Sequence, residues 1–150
     1  MERDRIERDT FVKASVERVW AVITEPAHVG VWFGQGEPAE IELWPGGIMR
    51  LDHGQYGVFP TLIVAVEPPR YLAYRWASGF PGEVADEGNS TLVEFFVEPE
   101  ADGTRLRVVE TGFASMKVPL PPEREETAGY DSHNEGWRGI VEIVREYAEK

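Results

Sequence analysis

The chain contains no cysteine, which excludes disulfides, thiolate metal sites and a cysteine nucleophile together. It also lacks any apolar run approaching the ~18 residues that mark a membrane-spanning helix. Basic residues are scarce, with 15 Lys and Arg against 27 Asp and Glu and a formal net charge of −12. Phosphate backbones are bound by basic side chains that displace counterions, so nucleic acid is not an expected partner. An anionic membrane surface is disfavoured for the same reason. Histidine is limited to His28, His53 and His133, which have no metal-ligand spacing among themselves, so neither a metal nor another cofactor is expected.

Two further signals are missing on inspection. Gly34-Gln35-Gly36 followed by Ala39 imitates a dinucleotide fingerprint, but Pro38 and the strand pattern after it remove the helix N-terminus such a loop needs. Ser78 is followed by glycine but lacks the G-x-S-x-G frame of a nucleophile elbow.

What is present is the composition of one globular domain: 150 residues, 42% of them hydrophobic, a length that removes about 68–70% of the unfolded surface from water. The opening Met1-Glu2-Arg3-Asp4-Arg5 carries both charge signs and leads into no apolar secretory segment, so the expected location is the cytoplasm.

Helical periodicity is confined to the two ends. A first strand is expected over Arg5 to Lys13. Ser15 then stands as an N-cap before Val16, Val19, Trp20 and Ile23, one apolar stripe closed by Pro26. A second short helix is expected within His28 to Gly34. From Glu37 the period becomes two. Strands are expected over Ile48 to His53, Phe59 to Glu67, Tyr71 to Trp76, Thr91 to Glu98 and Thr104 to Gly112, with turn residues between them. Each puts alternate residues on one face: Met49, Leu51 and His53; Leu72, Tyr74 and Trp76; Val93, Phe95 and Val97; Leu106, Val108 and Glu110.

The segment from Lys117 begins as a proline-bearing loop. Ser132-His133-Asn134-Glu135 then matches a capping box, and Trp137, Ile140, Val141, Val144 and Ala148, broadened by Ile143 and Tyr147, form the stripe of a long final helix. Gly136 and Gly139 cost that helix up to about 1 kcal/mol each against alanine, which points to space needed beside it.

Several of these residues resemble one family. Ala14-Ser15-Val16-Glu17-Arg18-Val19-Trp20 with Pro26 and Trp32, Pro45-Gly46-Gly47, Pro68-Pro69-Arg70 before a strand ending in Trp76, Thr111-Gly112-Phe113 and Glu135-Gly136-Trp137 resemble, in order and spacing, the START-related, birch-pollen-allergen-like superfamily. Within it they resemble the single-domain homologues of the Hsp90 ATPase activator. The resemblance implies an α+β helix-grip fold: a seven-stranded antiparallel sheet curled around the C-terminal helix, with one or two short helices after the first strand and a hydrophobic cavity between sheet and helix.

Such a cavity suits a hydrophobic or aromatic small molecule, and the expected ligand-binding residues are Trp32, Phe33, Met49, Leu51, His53, Tyr74, Trp76, Phe95, Glu110, Trp137 and Val141. Two alternatives stand beside that reading. One is a protein-interaction module like the C-terminal part of the Hsp90 activator, with a chaperone as partner; nothing in these 150 residues corresponds to that activator's separate N-terminal chaperone-binding domain. The other is an enzyme of the polyketide cyclase or dehydratase type, with Glu110 and His53 as acid–base groups.

Overall fold

The computed structural model describes residues 4–150. Strand β1 (Arg5–Val12) leads into helices α1 (Val16–Thr24) and α2 (Pro26–Trp32). Six further strands follow: β2 (Glu40–Ile41), β3 (Ile48–Asp52), β4 (Val58–Glu67), β5 (Tyr71–Trp76), β6 (Thr91–Glu100) and β7 (Gly103–Thr111). A one-turn helix α3 (Glu125–Ala128) and the long helix α4 (Tyr130–Ala148) close the chain.

All seven strands form one antiparallel sheet in the order β1-β7-β6-β5-β4-β3-β2. The expected curl around the C-terminal helix is not found. β1 pairs only with β7, and β2 only with β3 through Glu40↔Arg50 and Ile41↔Met49, so the sheet stays open with two separate edges. Wrapping would require those edges to approach each other with a fixed stagger. Helices cover one face of the open sheet instead. α4 lies chiefly along β1, while α1 reaches β6, β7 and α4.

Alternation decides which way each strand faces. Along β6, Thr91, Val93, Phe95 and Val97 are buried while their neighbours are partly exposed; on β7 Thr104, Leu106 and Val108 alternate with the partly exposed Arg105 and Arg107, after which Val109 and Glu110 are buried too. The register sets Phe95 opposite both Leu72 and Val108, so three neighbouring strands contribute to one dry layer. Each such side chain contributes roughly 1.5–3 kcal/mol by leaving water.

The helix ends are held by particular atoms. Ser15 Oγ accepts from the Arg18 N–H at 3.1 Å, as its N-cap reading requires. Pro26, expected as a terminator, begins α2, where its missing N–H costs nothing. Gly30 is required in α2, because a Cβ there would stand 1.8 Å from the Glu37 carbonyl oxygen. The capping box at Ser132 is not formed: the N-cap of α4 is Gly129, three residues earlier, and Ser132 Oγ donates to the Thr127 carbonyl. The short helix α3 supplies that carbonyl, and His133, the residue after Ser132, is buried.

Candidate functional site

A cavity of about 440 Å³ opens between the end of α2, the β3–β4 connection, the end of β5 and the first half of α4. Trp32 and Phe33 come from the end of α2, His53 and Tyr56 from the β3–β4 connection, and Phe59 and Trp76 from β4 and β5. Ser78 follows β5, Arg124 and Thr127 precede α4, and Ser132, His133, Gly136, Trp137 and Ile140 come from α4 itself.

The rings support one another. Trp32 donates from Nε1 to the Val22 carbonyl at 2.7 Å and stacks on Phe33 with centroids 4.9 Å apart. Phe33 in turn meets His53 at 4.8 Å, Trp76 at 5.7 Å and Trp137 at 5.8 Å. Trp76 stacks on His133 at 4.7 Å. Edge-to-face and offset arrangements of this kind add about 0.5–1.5 kcal/mol per pair beyond area burial, so the wall is preformed.

Of the residues expected at the site, Trp32, Phe33, His53, Trp76 and Trp137 are on this wall. Met49, Leu51, Tyr74, Phe95, Glu110 and Val141 are buried in the core and are not on it. Leu51 lines a second, smaller hollow of about 190 Å³ beside Val29 and Phe33. Burial pushes the Tyr74 phenol well above its ordinary value, helped by the charge of Glu110, and its hydroxyl has no hydrogen-bond partner. Burial likewise lowers the basicity of His53. Gly136 borders the cavity, and a Cβ there would meet nothing within 4 Å. The space beside the helix is therefore cavity at this position, not a close approach of sheet side chains.

Glu110 is expected from sequence as an acid–base candidate, but its partners in a polar chain running from the core to the wall are not. Glu110 is 0% exposed. Its Oε1 accepts from Trp137 Nε1 at 2.7 Å and lies 2.7 Å from His133 Nδ1, while Oε2 accepts from Thr91 Oγ1. The other imidazole nitrogen, His133 Nε2, lies 3.0 Å from Ser78 Oγ. In the sequence His133 falls inside the apparent capping box Ser132 to Glu135. Its position four residues before Trp137 on the apolar stripe was the available signal that it faces inward. Among the described residues no cluster of three or more acidic, histidine or cysteine side chains is arranged to hold a metal ion, and no helix is long and apolar enough to cross a membrane.

An antiparallel sheet with a long C-terminal helix laid against it and an aromatic hollow between them defines the START-related, birch-pollen-allergen-like superfamily. Residues 13–149 match the model for the Activator of Hsp90 ATPase homolog 1-like protein family, and the chain belongs to that family. Among solved structures it is similar to DynU16, a protein in the dynemicin biosynthetic locus, at 25% identity and TM-score 0.72, over 98% of this chain and 48% of that one. It thus spans about half the length of DynU16. CalU16 from Micromonospora echinospora is similar at 21% identity and TM-score 0.67, over 96% and 75% of the two chains. The Aha1 dimer from Colwellia psychrerythraea is similar at 14% identity and TM-score 0.71, over 97% and 96%. No curated protein matches.

Proposed function

We propose that this protein binds a one- or two-ring hydrophobic molecule in the cavity walled by Trp32, Phe33, Phe59, Trp76 and Trp137. The observation that carries this reading is the coincidence of size and lining. A hollow of about 440 Å³ falls in the range of small-molecule sites, which are mostly apolar with few polar groups. The polar atoms on these residues fit the same pattern, since His53 Nε2, Trp76 Nε1 and Arg124 Nε are buried without a partner. The place of DynU16 in a biosynthetic locus supports a small-molecule occupant. A thermal-shift titration with naphthalene and 2-naphthol tests the reading. A ligand held at 100 times its Kd raises stability by about 2.7 kcal/mol, and a Phe33→Asp variant, charged at the wall, should lose that gain. An unchanged melting temperature across a panel of such compounds would contradict it.

A second reading has its own support. The family match over residues 13–149 favours a role as an interaction module acting on an Hsp90-type chaperone. Stimulation of such a chaperone's ATPase by the purified protein would support this reading, and no stimulation together with an empty pulldown would dismiss it.

A further inference from the structure

We propose that Ser78, His133 and Glu110 form a nucleophile–base–carboxylate chain at the cavity wall, and that the protein cleaves small aromatic esters through a covalent acyl intermediate on Ser78. The inference rests on the cavity reading only in taking the ester's aromatic part to lie among the same rings.

The geometry has the order of contacts that serine activation requires. Ser78 Oγ is 3.0 Å from His133 Nε2, and His133 Nδ1 is 2.7 Å from Glu110 Oε1. Both distances are within hydrogen-bond reach. A carboxylate acceptor at Nδ1 places the ring proton there and leaves Nε2 to take the hydroxyl proton of Ser78. Glu110 is in turn oriented by donors that do not come from the base, Trp137 Nε1 and Thr91 Oγ1. The imidazole is fixed in plane by Trp76 stacked at 4.7 Å and by Phe113 edge-on at 5.4 Å. Ser78 and His133 both line the cavity, whereas Glu110 does not. That is the arrangement expected of a nucleophile and base facing a substrate, with the carboxylate behind them.

The loop that carries Ser78 is built against the segment before α4. A Cβ on Gly79 would lie 2.3 Å from Leu120 Cδ2 and 3.9 Å from the Ala128 Cβ, so the loop packs closely on that segment. Arg124 then donates from Nη2 to the Ser78 carbonyl at 2.8 Å and from Nη1 to the Tyr56 carbonyl at 3.3 Å. Arg124 is the only arginine or lysine on the cavity wall among the described residues. Its guanidinium, with Nη1 and Nη2 each bonded to a backbone carbonyl, puts positive charge beside the nucleophile, which favours a developing oxyanion.

In the proposed reaction Ser78 Oγ attacks the ester carbonyl carbon and gives its proton to His133 Nε2. The carbon–oxygen bond to the leaving alcohol breaks, and that oxygen takes the proton from His133. Water then attacks the acyl-serine ester, passing one proton to His133, and the acid is released as Ser78 recovers its proton. No oxidant or reductant enters. The rings around Ser78 select an aromatic ester.

The test is covalent capture. The wild-type protein is treated with an alkyl fluorophosphonate, and intact mass is measured alongside hydrolysis of 1-naphthyl acetate. The proposal predicts a single adduct on Ser78 and hydrolysis above the buffer rate, both abolished by Ser78→Ala, which removes only one oxygen and keeps the fold. Because the chain has no cysteine, Ser78→Cys provides a second readout with no competing thiol. Its alkylation by iodoacetamide at pH 6 should run at least 10-fold faster than that of glutathione, and His133→Gln in the same background should remove the advantage. No adduct on Ser78 together with ordinary thiol reactivity would overturn the proposal, as would hydrolysis or labelling that survives Ser78→Ala. Naphthalene binding measured on the same samples separates the two readings. If it persists without Ser78 chemistry, the cavity stands and the reaction falls; if both are absent, both fall.

Discussion

The two halves of α4 share one helical stripe but meet different surroundings. In the second half, Val141, Val144 and Ala148 are buried apolar side chains. The helix end there is secured by Arg18, which donates to the carbonyls of Ala148 and Tyr147 at 3.2 and 3.3 Å, and by Glu149, which accepts from the Lys13 N–H at 2.8 Å. In the first half the stripe carries His133 and Trp137, hydrogen-bonded to a buried carboxylate, and Gly136 and Ile140, which border a hollow. Arg8 ties this half to β1 through Asn134 Oδ1 at 2.8 Å. The same periodicity thus packs a core at one end and builds a wall at the other. Hydrophobic spacing reports that a face is inward, and the chemistry of each side chain reports what it meets there.

Substitutions in the two halves sharpen that contrast. Trp137→Ala should have the largest effect, losing about 3–5 kcal/mol because it empties a large buried site and removes a donor from Glu110. Chemical denaturation would show it, so this variant probes stability before it probes ligand affinity. Val144→Ala should cost roughly 2 kcal/mol from the lost methyl groups and the gap they leave, with ligand affinity in the folded protein unchanged. If Val144→Ala weakened binding as strongly as a wall substitution, the division of the helix would be wrong.

His53 gives a pH signature. Burial lowers its folded-state pKa below the ordinary value near 6.5, with the charge of Asp52 opposing the shift and that of His133 adding to it. The unfolded chain therefore binds more protons as pH falls below about 6.5, and stability declines from that point down to the folded-state pKa. The decline is at most about 1.4 kcal/mol per pH unit from this one group. Melting temperatures of the wild type and His53→Phe between pH 5 and 8 would check it. The variant should have a flatter profile, and parallel profiles would show that another group controls the slope.

The smallest expected effect is a gain. Gly136→Ala should raise stability by up to about 1 kcal/mol through helix propensity, since nothing lies within 4 Å of the new methyl group, while reducing the room for a ligand. A denaturant midpoint shifted upward with weaker naphthalene binding is the expected pair of outcomes; a lower midpoint would mean that the position is already crowded.

Much of the fold was legible in sequence because its signals are local. Val93, Phe95 and Val97 alternate with half-exposed residues, and Ser15 precedes a clean stripe; both patterns depend on neighbours within a few positions. Whether the sheet curls around the helix is a different kind of fact. Alternation names the inner face of each strand, but not where β1 and β2 end relative to each other, and the structure leaves them as open edges. The site was legible in its aromatic part and in Glu110, an acid on an apolar strand face, but not in the partners of that acid. Trp32, Phe33, Trp76 and Trp137 are conspicuous by type, whereas Ser78 stands in no motif and His133 sits in an apparent capping box. Ser78 and His133 are 55 positions apart and Glu110 and His133 are 23 apart, so only the sheet register and the early start of α4 bring them together.

The chain's five tryptophans allow a direct test of the cavity, because Trp32, Trp76 and Trp137 line it, while Trp20 packs against the core without lining the cavity and Trp44 is 57% exposed. Nitrogen-edited NMR of the indole N–H groups during a naphthalene titration resolves each of them. Saturable shifts of Trp32, Trp76 and Trp137 with Trp20 and Trp44 unmoved are the predicted result, and no saturable shift, or one that moves Trp44 and Trp20 in step with the rest, would contradict it.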